Sequence, residues 1–182
     1  TMRAFTFENA TKIYFGGGCV KEHLLEAVKP YGETVMLAYG GGSIKTNGIY
    51  QEVMDVLKLA GKQVIEFSGI MPNPTYSKVM EGKKVVQENQ VDLILAVGGG
   101  SVMDCSKAIS MAAATDKDVW EEYWIKKGEI DFEPVPVGVI VTVVGTGSEV
   151  NGEGVITHEE QKIKTSRNYP RCNPGFAMMD PK

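Results

Sequence analysis

Twice in this chain an apolar run ends on three glycines and a serine: "VMLAYGGGSIKTNG" and "LILAVGGGSVMDCSK". Glycine and a hydroxyl at the end of a buried strand suit a bound anion. Where a strand feeds a helix, the first backbone N–H groups lack intrahelical partners, and the helix dipole adds positive potential at the same place. Any side chain at that turn would hold a phosphate away from the backbone. Gly99, Gly100 and Ser101 are therefore candidates for a pyrophosphate cradle, with the Ser101 hydroxyl as a further donor. A ligand-free reading stands beside this one. Ser101-Val-Met-Asp104 has the spacing of a capping box, in which the serine and the acid satisfy the helix start themselves. Such a cap does not require three preceding glycines, which cost backbone entropy on folding. Asp104 would be unfavourable beside a pyrophosphate unless a hydrogen bond turned it aside. Lys107, one turn on, reads equally as a solvated or core-edge lysine and as a ligand. Neither G-x-G-x-x-G (Met103 stands where glycine is needed) nor G-x-x-x-x-G-K-[ST] is present.

The elements around these corners follow one rhythm. "TVMLAY", "QVIEF", "DLILAV" and "VGVIVTV" read as strands, and "GIYQEVMDVLKLAG", "TYSKVMEGKKVVQENQ" and "DCSKAISMAAA" as the helices between them. Strands that are apolar throughout, rather than alternating, are buried on both faces, as in a parallel sheet with helix crossovers. The fold class expected is α/β, a doubly wound parallel sheet of Rossmann-like type. An opening hairpin over "FTFENATKIYFGGG", a helix in "VKEHLLEAVKPYG", a small hairpin around "THEEQK" and a last strand in "GFAMMDPK" complete the reading.

Composition narrows the function. With 43% hydrophobic residues the 182-residue chain can bury a substantial core. A net charge of -4, with both signs dispersed, leaves no basic face for nucleic acid. No apolar run approaches the roughly 20 residues of a membrane span, and "TMRAFTFENATK" lacks the apolar core of a signal peptide. Cys19, Cys105 and Cys172 are widely spaced and read as small structural residues of a reducing, cytoplasmic setting. His23 and His158 read as ordinary exposed histidines, and no His/Asp cluster with ligand spacing occurs.

The stretch "GGGSVMDCSKAIS" resembles the G-G-G-S-x-x-D-x-x-K element of the iron-containing alcohol dehydrogenase family, and "YGGGSIKTNGIY", "FSGIMPNPT", "VGTGSEVNG" and "VITHEEQK" follow the family's order. The likeness runs over essentially the whole chain and is greatest to the NAD(P)H-dependent butanol dehydrogenase branch. It implies a nicotinamide dinucleotide cofactor, with Gly99, Gly100 and Ser101 at the pyrophosphate and Asn73 beside the cofactor. Thr142, Thr146 and Asn151 match positions near the adenine, ribose or nicotinamide, and Lys164 matches a cofactor-contacting lysine. NAD-preferring members carry an acid after the first glycine-ended strand, where this chain has Gly41, then Gly42 and Ser43 with Lys45 nearby. An open backbone, a hydroxyl and a cation suit a 2′-phosphate, so NADP(H) is expected over NAD(H).

The resemblance further implies hydride transfer to or from a small alcohol or aldehyde. It also implies a divalent metal, iron or zinc, held by one aspartate and three histidines of a helical C-terminal domain. That ligand set has no match in these residues. Residues 1–182 are accordingly read as the nucleotide-binding domain alone, inactive without its helical partner domain. Family members are often dimers, and the opening hairpin offers an edge with which a second copy could pair. A related polyol dehydrogenase or sugar-phosphate cyclase, and a non-catalytic nucleotide-binding module, are the alternatives.

Overall fold

Burial on both faces is what the apolar strands achieve. In a computed structural model describing residues 8–181, six strands form one all-parallel sheet: β1 (Lys12–Phe15), β2 (Thr34–Tyr39), β3 (Gln63–Phe67), β4 (Leu93–Gly98), β5 (Val137–Val141) and β8 (Phe176–Met179). β6 (Glu153–His158) and β7 (Ile163–Asn168) pair antiparallel as a separate hairpin. The main sheet runs β1-β8-β5-β4-β2-β3.

Alternate residues of each central strand serve two cores. Met36, Ala38, Ile94 and Ala96 face α4 (Tyr76–Asn89) and α5 (Gly100–Ala113). Val35, Leu37, Leu93 and Leu95 face α1 (Cys19–Val28) and α3 (Ile49–Leu59). Leu37, Leu93 and Leu95 are wholly buried, and each such side chain contributes about 2 kcal/mol by area. The one-turn α2 (Ser43–Thr46) follows the first glycine corner. This is the doubly wound α/β fold that the sequence pattern predicts.

Two features lie outside what that pattern gives. The first arm of the expected N-terminal hairpin falls largely on residues 1–7, outside the described residues. Its second arm, β1, pairs parallel to β8, Lys12 opposite Phe176 and Phe15 opposite Met179. β1 is thus the outermost strand among the described residues, and β8 supplies its parallel neighbour from far along the chain. The second is a π-helix, Trp120–Ile125, in a stretch without a clear period. Trp120, Tyr123 and Trp124 are buried there, with indole N–H donations to Gln161 (2.8 Å) and to the Gly154 carbonyl (3.2 Å). His158 stacks on Tyr76 at 5.1 Å. Together these contacts fasten the β6–β7 hairpin against α4 and α5.

Candidate functional site

The chain leaves β2 for β3 on one side and returns to β4 on the other side of β2, from which it continues to β5. The connections diverge between β2 and β4, and a crevice opens at the carboxyl ends of strands at such a reversal. Tyr39 lies opposite Val97 in this pair, so the two glycine corners start side by side at that crevice. β5 closes the far side, with Val141 opposite Gly98 and the Thr142 N–H donating to the Gly98 carbonyl at 3.0 Å.

At the second corner Gly99 is the N-cap of α5 and no side chain caps the helix. The Ser101–Asp104 capping box therefore does not form. Asp104 turns away from the helix start, accepting hydrogen bonds from the Ser148 hydroxyl (2.7 Å) and the Val155 N–H (3.1 Å). The Ser148 hydroxyl also accepts from Lys107 at 2.7 Å. Lys107 is wholly buried, 1% exposed. Its ammonium donates further to the carbonyl oxygens of Ser148 and Glu153 and to the Asn151 side chain. Burial pushes the Lys107 ammonium down to about 8, with Asp104 pulling the other way. Burial pushes the Asp104 carboxyl up, against the bonds from Ser148 and Val155 and the charge of Lys107.

Asn73, Gly100, Ser101, Thr146 and Lys164 line one cleft of about 270 Å³, together with Pro74, Asp104 and Val155. Residues read separately from the sequence thus share a wall. Lys164 on β7 donates to the Asn73 side-chain oxygen across 91 positions. Asn73 itself sits at φ 54°, a left-handed conformation asparagine tolerates better than most residues. Thr146 leans over the start of α5, where a Cβ added to Gly100 would lie 2.8 Å from its methyl group. Asn151 is not brought into the cleft lining; its side-chain oxygen accepts from Lys107 and from the Glu153 N–H.

The first corner is open. A Cβ added to Gly41 or Gly42 would meet nothing within 4 Å, and one on Gly99 would meet only Val143, at 3.6 Å. Ser43 is exposed. Lys45 is not free-standing: its ammonium lies 4.7 Å from the Tyr50 ring and 5.6 Å from that of Tyr39. The Tyr39 hydroxyl donates to Glu66 at 2.7 Å, and this bond, with that from Tyr50 and the charge of Lys45, holds the Glu66 carboxyl below its usual range. Sequence periodicity gave no sign of Glu66 at this corner, since it sits on a different strand.

No set of three or more His, Cys, Asp or Glu among the described residues is placed to hold a metal ion. His23 stacks on Tyr14 and lies 3.7 Å from Glu22, and His158 sits in the Tyr76–Trp120 ring cluster. The cradle fits an anion; the donor set does not fit a catalytic metal.

The sequence model of the iron-containing alcohol dehydrogenase family matches residues 10–181. The chain belongs to that family. It is 44% identical over 180 residues to the probable NADH-dependent butanol dehydrogenase 1 of Bacillus subtilis, covering 99% of this chain and 46% of that protein. It is 37% identical to the NADPH-dependent aldehyde reductase YqhD of Escherichia coli, at 99% and 46% coverage. The crystal structure of an NADH-dependent butanol dehydrogenase A from Thermotoga maritima superposes with a TM-score of 0.92 at 39% identity, over 98% of this chain and 44% of that one. The chain thus spans about half the length of these relatives, which are named for both NADH and NADPH. No helix among the described residues is long and apolar enough to cross a membrane.

Proposed function

We propose that residues 1–182 are the nucleotide-binding domain of a metal-dependent alcohol dehydrogenase or aldehyde reductase of the butanol dehydrogenase kind. The observation that carries this reading is the pairing of the two glycine corners at the sheet's reversal point, with a polar cleft beside the second. Gly99, Gly100 and Ser101 take the pyrophosphate, their backbone N–H groups facing it without intervening side chains. Asn73, Thr146 and Lys164 line its path, and Thr142 borders it at the end of β5. Asn151 acts at one remove, through Lys107. The nicotinamide, when bound, supplies or accepts the hydride exchanged with a small alcohol or aldehyde. A metal finds no ligand set among the described residues, so the part that polarises the substrate oxygen lies outside them, and the domain alone turns over no substrate.

The first corner takes the adenosine ribose, and Gly41 and Ser43 favour NADP(H): support comes from the open space at Gly41, where an added Cβ would meet nothing within 4 Å. A second reading, NAD(H), is favoured by Glu66, whose carboxylate shares the cation of Lys45. Fluorescence titration of the chain with NADPH and with NADH tests both. Saturable NADPH binding at least about tenfold tighter than NADH is expected; no saturable binding of either would overturn the function, and tighter NADH binding the preference.

A further inference from the structure

Thr146 reaches the cleft from a segment with little structure of its own. Gly145 and Gly147 take φ of 159° and 73°, Val143 and Val144 are about two-thirds exposed, and Ser148–Val150 makes a single 3-10 turn. Yet Thr146, in the middle of this segment, rests on the start of α5. What fixes it comes from below. All four oxygens around the Lys107 ammonium belong to residues 148–153, and an ammonium has three protons to offer them. Asp104, on the same helix, holds the segment through the Ser148 hydroxyl and the β6 strand that follows it through the Val155 N–H.

A lysine is rarely buried unless its charge is matched. Methionine would fill the space without the desolvation cost, so packing alone does not account for Lys107; its reach to one loop does. We infer that Lys107, with Asp104 and Ser148, is a clasp that positions Thr146 over Gly100 and so sets the width of the cleft. Lys107 is a positioning residue: it acts through the loop and does not line the cleft. The inference rests on the cleft being the cofactor site. The Ser148 hydroxyl is the shared link, donating to Asp104 while accepting from Lys107; without it Asp104 loses its bond to the loop and Lys107 one of its four.

Amide hydrogen exchange on the cofactor-free chain reads the clasp without any ligand, and NADPH titration reads its consequence. In Lys107→Met, amides of residues 145–151 should exchange about 100-fold faster while those of β4 stay within about threefold of wild type. The NADPH dissociation constant should rise about tenfold. Because Lys107→Met leaves Asp104 buried without its cation and can lose the fold, Ser148→Ala carries the test as well. It should move both readouts in the same direction with the thermal midpoint little changed. Unchanged loop exchange and unchanged affinity in folded Ser148→Ala would overturn the clasp while leaving the cofactor reading intact. A wild-type chain that binds no NADPH, with loop exchange rising in the variants, would instead overturn the cofactor reading and with it the role given to the clasp.

Discussion

Gly41 and Lys107 show how differently single residues carry this account. Nothing among the described residues comes within 4 Å of a Cβ added to Gly41, and its φ is not in the left-handed range, so neither their packing nor backbone geometry demands glycine there. Gly41→Ala should therefore change stability by no more than about 0.5 kcal/mol in a denaturant titration. Gly41→Asp places a carboxylate where a 2′-phosphate would lie, and should weaken NADPH about tenfold or more while sparing or improving NADH. Unchanged cofactor ratios would remove Gly41 from the site. Lys107 responds to pH instead. Burial pushes its ammonium down to about 8 from the ordinary 10.5. Between those values the unfolded chain holds a proton that the folded chain has released, so stability gains from this group as pH rises. The buried thiols of Cys105 and Cys172, pushed up to about 12, work the other way above pH 9.0. Comparing wild type with Lys107→Met cancels the Cys105 contribution but only part of that of Cys172, whose thiol the Lys107 charge lowers. The stability difference between them should move in favour of wild type by about 1 kcal/mol between about pH 8 and about pH 9, and a flat difference would place the Lys107 ammonium in water.

At the scale of elements, the strand-to-helix corners were legible because their signals are local. An apolar run, three glycines and an amphipathic helix follow one another within about twenty residues, and periodicity reads such runs directly. What a corner holds was not legible, because it depends on distant partners. Ser101 and Asp104 fit a capping box by spacing, yet Asp104 bonds 44 and 51 positions away. Lys164 and Asn73 were each visible as candidates, but not their mutual bond. The π-helix escaped for another reason. Trp120, Tyr123 and Trp124 have i, i+3, i+4 spacing, a signal too short to stand out from the irregular polar sequence around it. The hairpin's start exposes a glycine of the opposite kind to Gly41. A Cβ on Gly152 would lie 1.7 Å from the Tyr169 carbonyl oxygen, which is backbone and has nowhere to go. Gly152→Ala should cost about 3 kcal/mol, the upper end of overpacking, measured as a fall in denaturant midpoint. A loss under about 1 kcal/mol would mean that Gly152 and Tyr169 close the base of the β6–β7 hairpin less tightly than described.

Across the whole molecule, the sheet converts sequence order into a crevice. β2 and β4 are separated in the chain by α2, α3, β3 and α4, yet lie side by side, so glycine corners 58 residues apart start next to each other at the carboxyl edge of the sheet. β8, from the far end of the chain, slots between β5 and β1 and anchors the N-terminal strand. That non-local insertion is why the β1–β8 pairing could not be read from the opening stretch alone. The central claim is that both corners grip one dinucleotide. Amide NMR shifts followed during an NADPH titration test it most directly. The account predicts that the backbone amides of Gly41–Ser43 and of Gly99–Ser101 move together, along curves that fit a single dissociation constant. Shifts confined to one corner, or two corners titrating with separate constants, would contradict it.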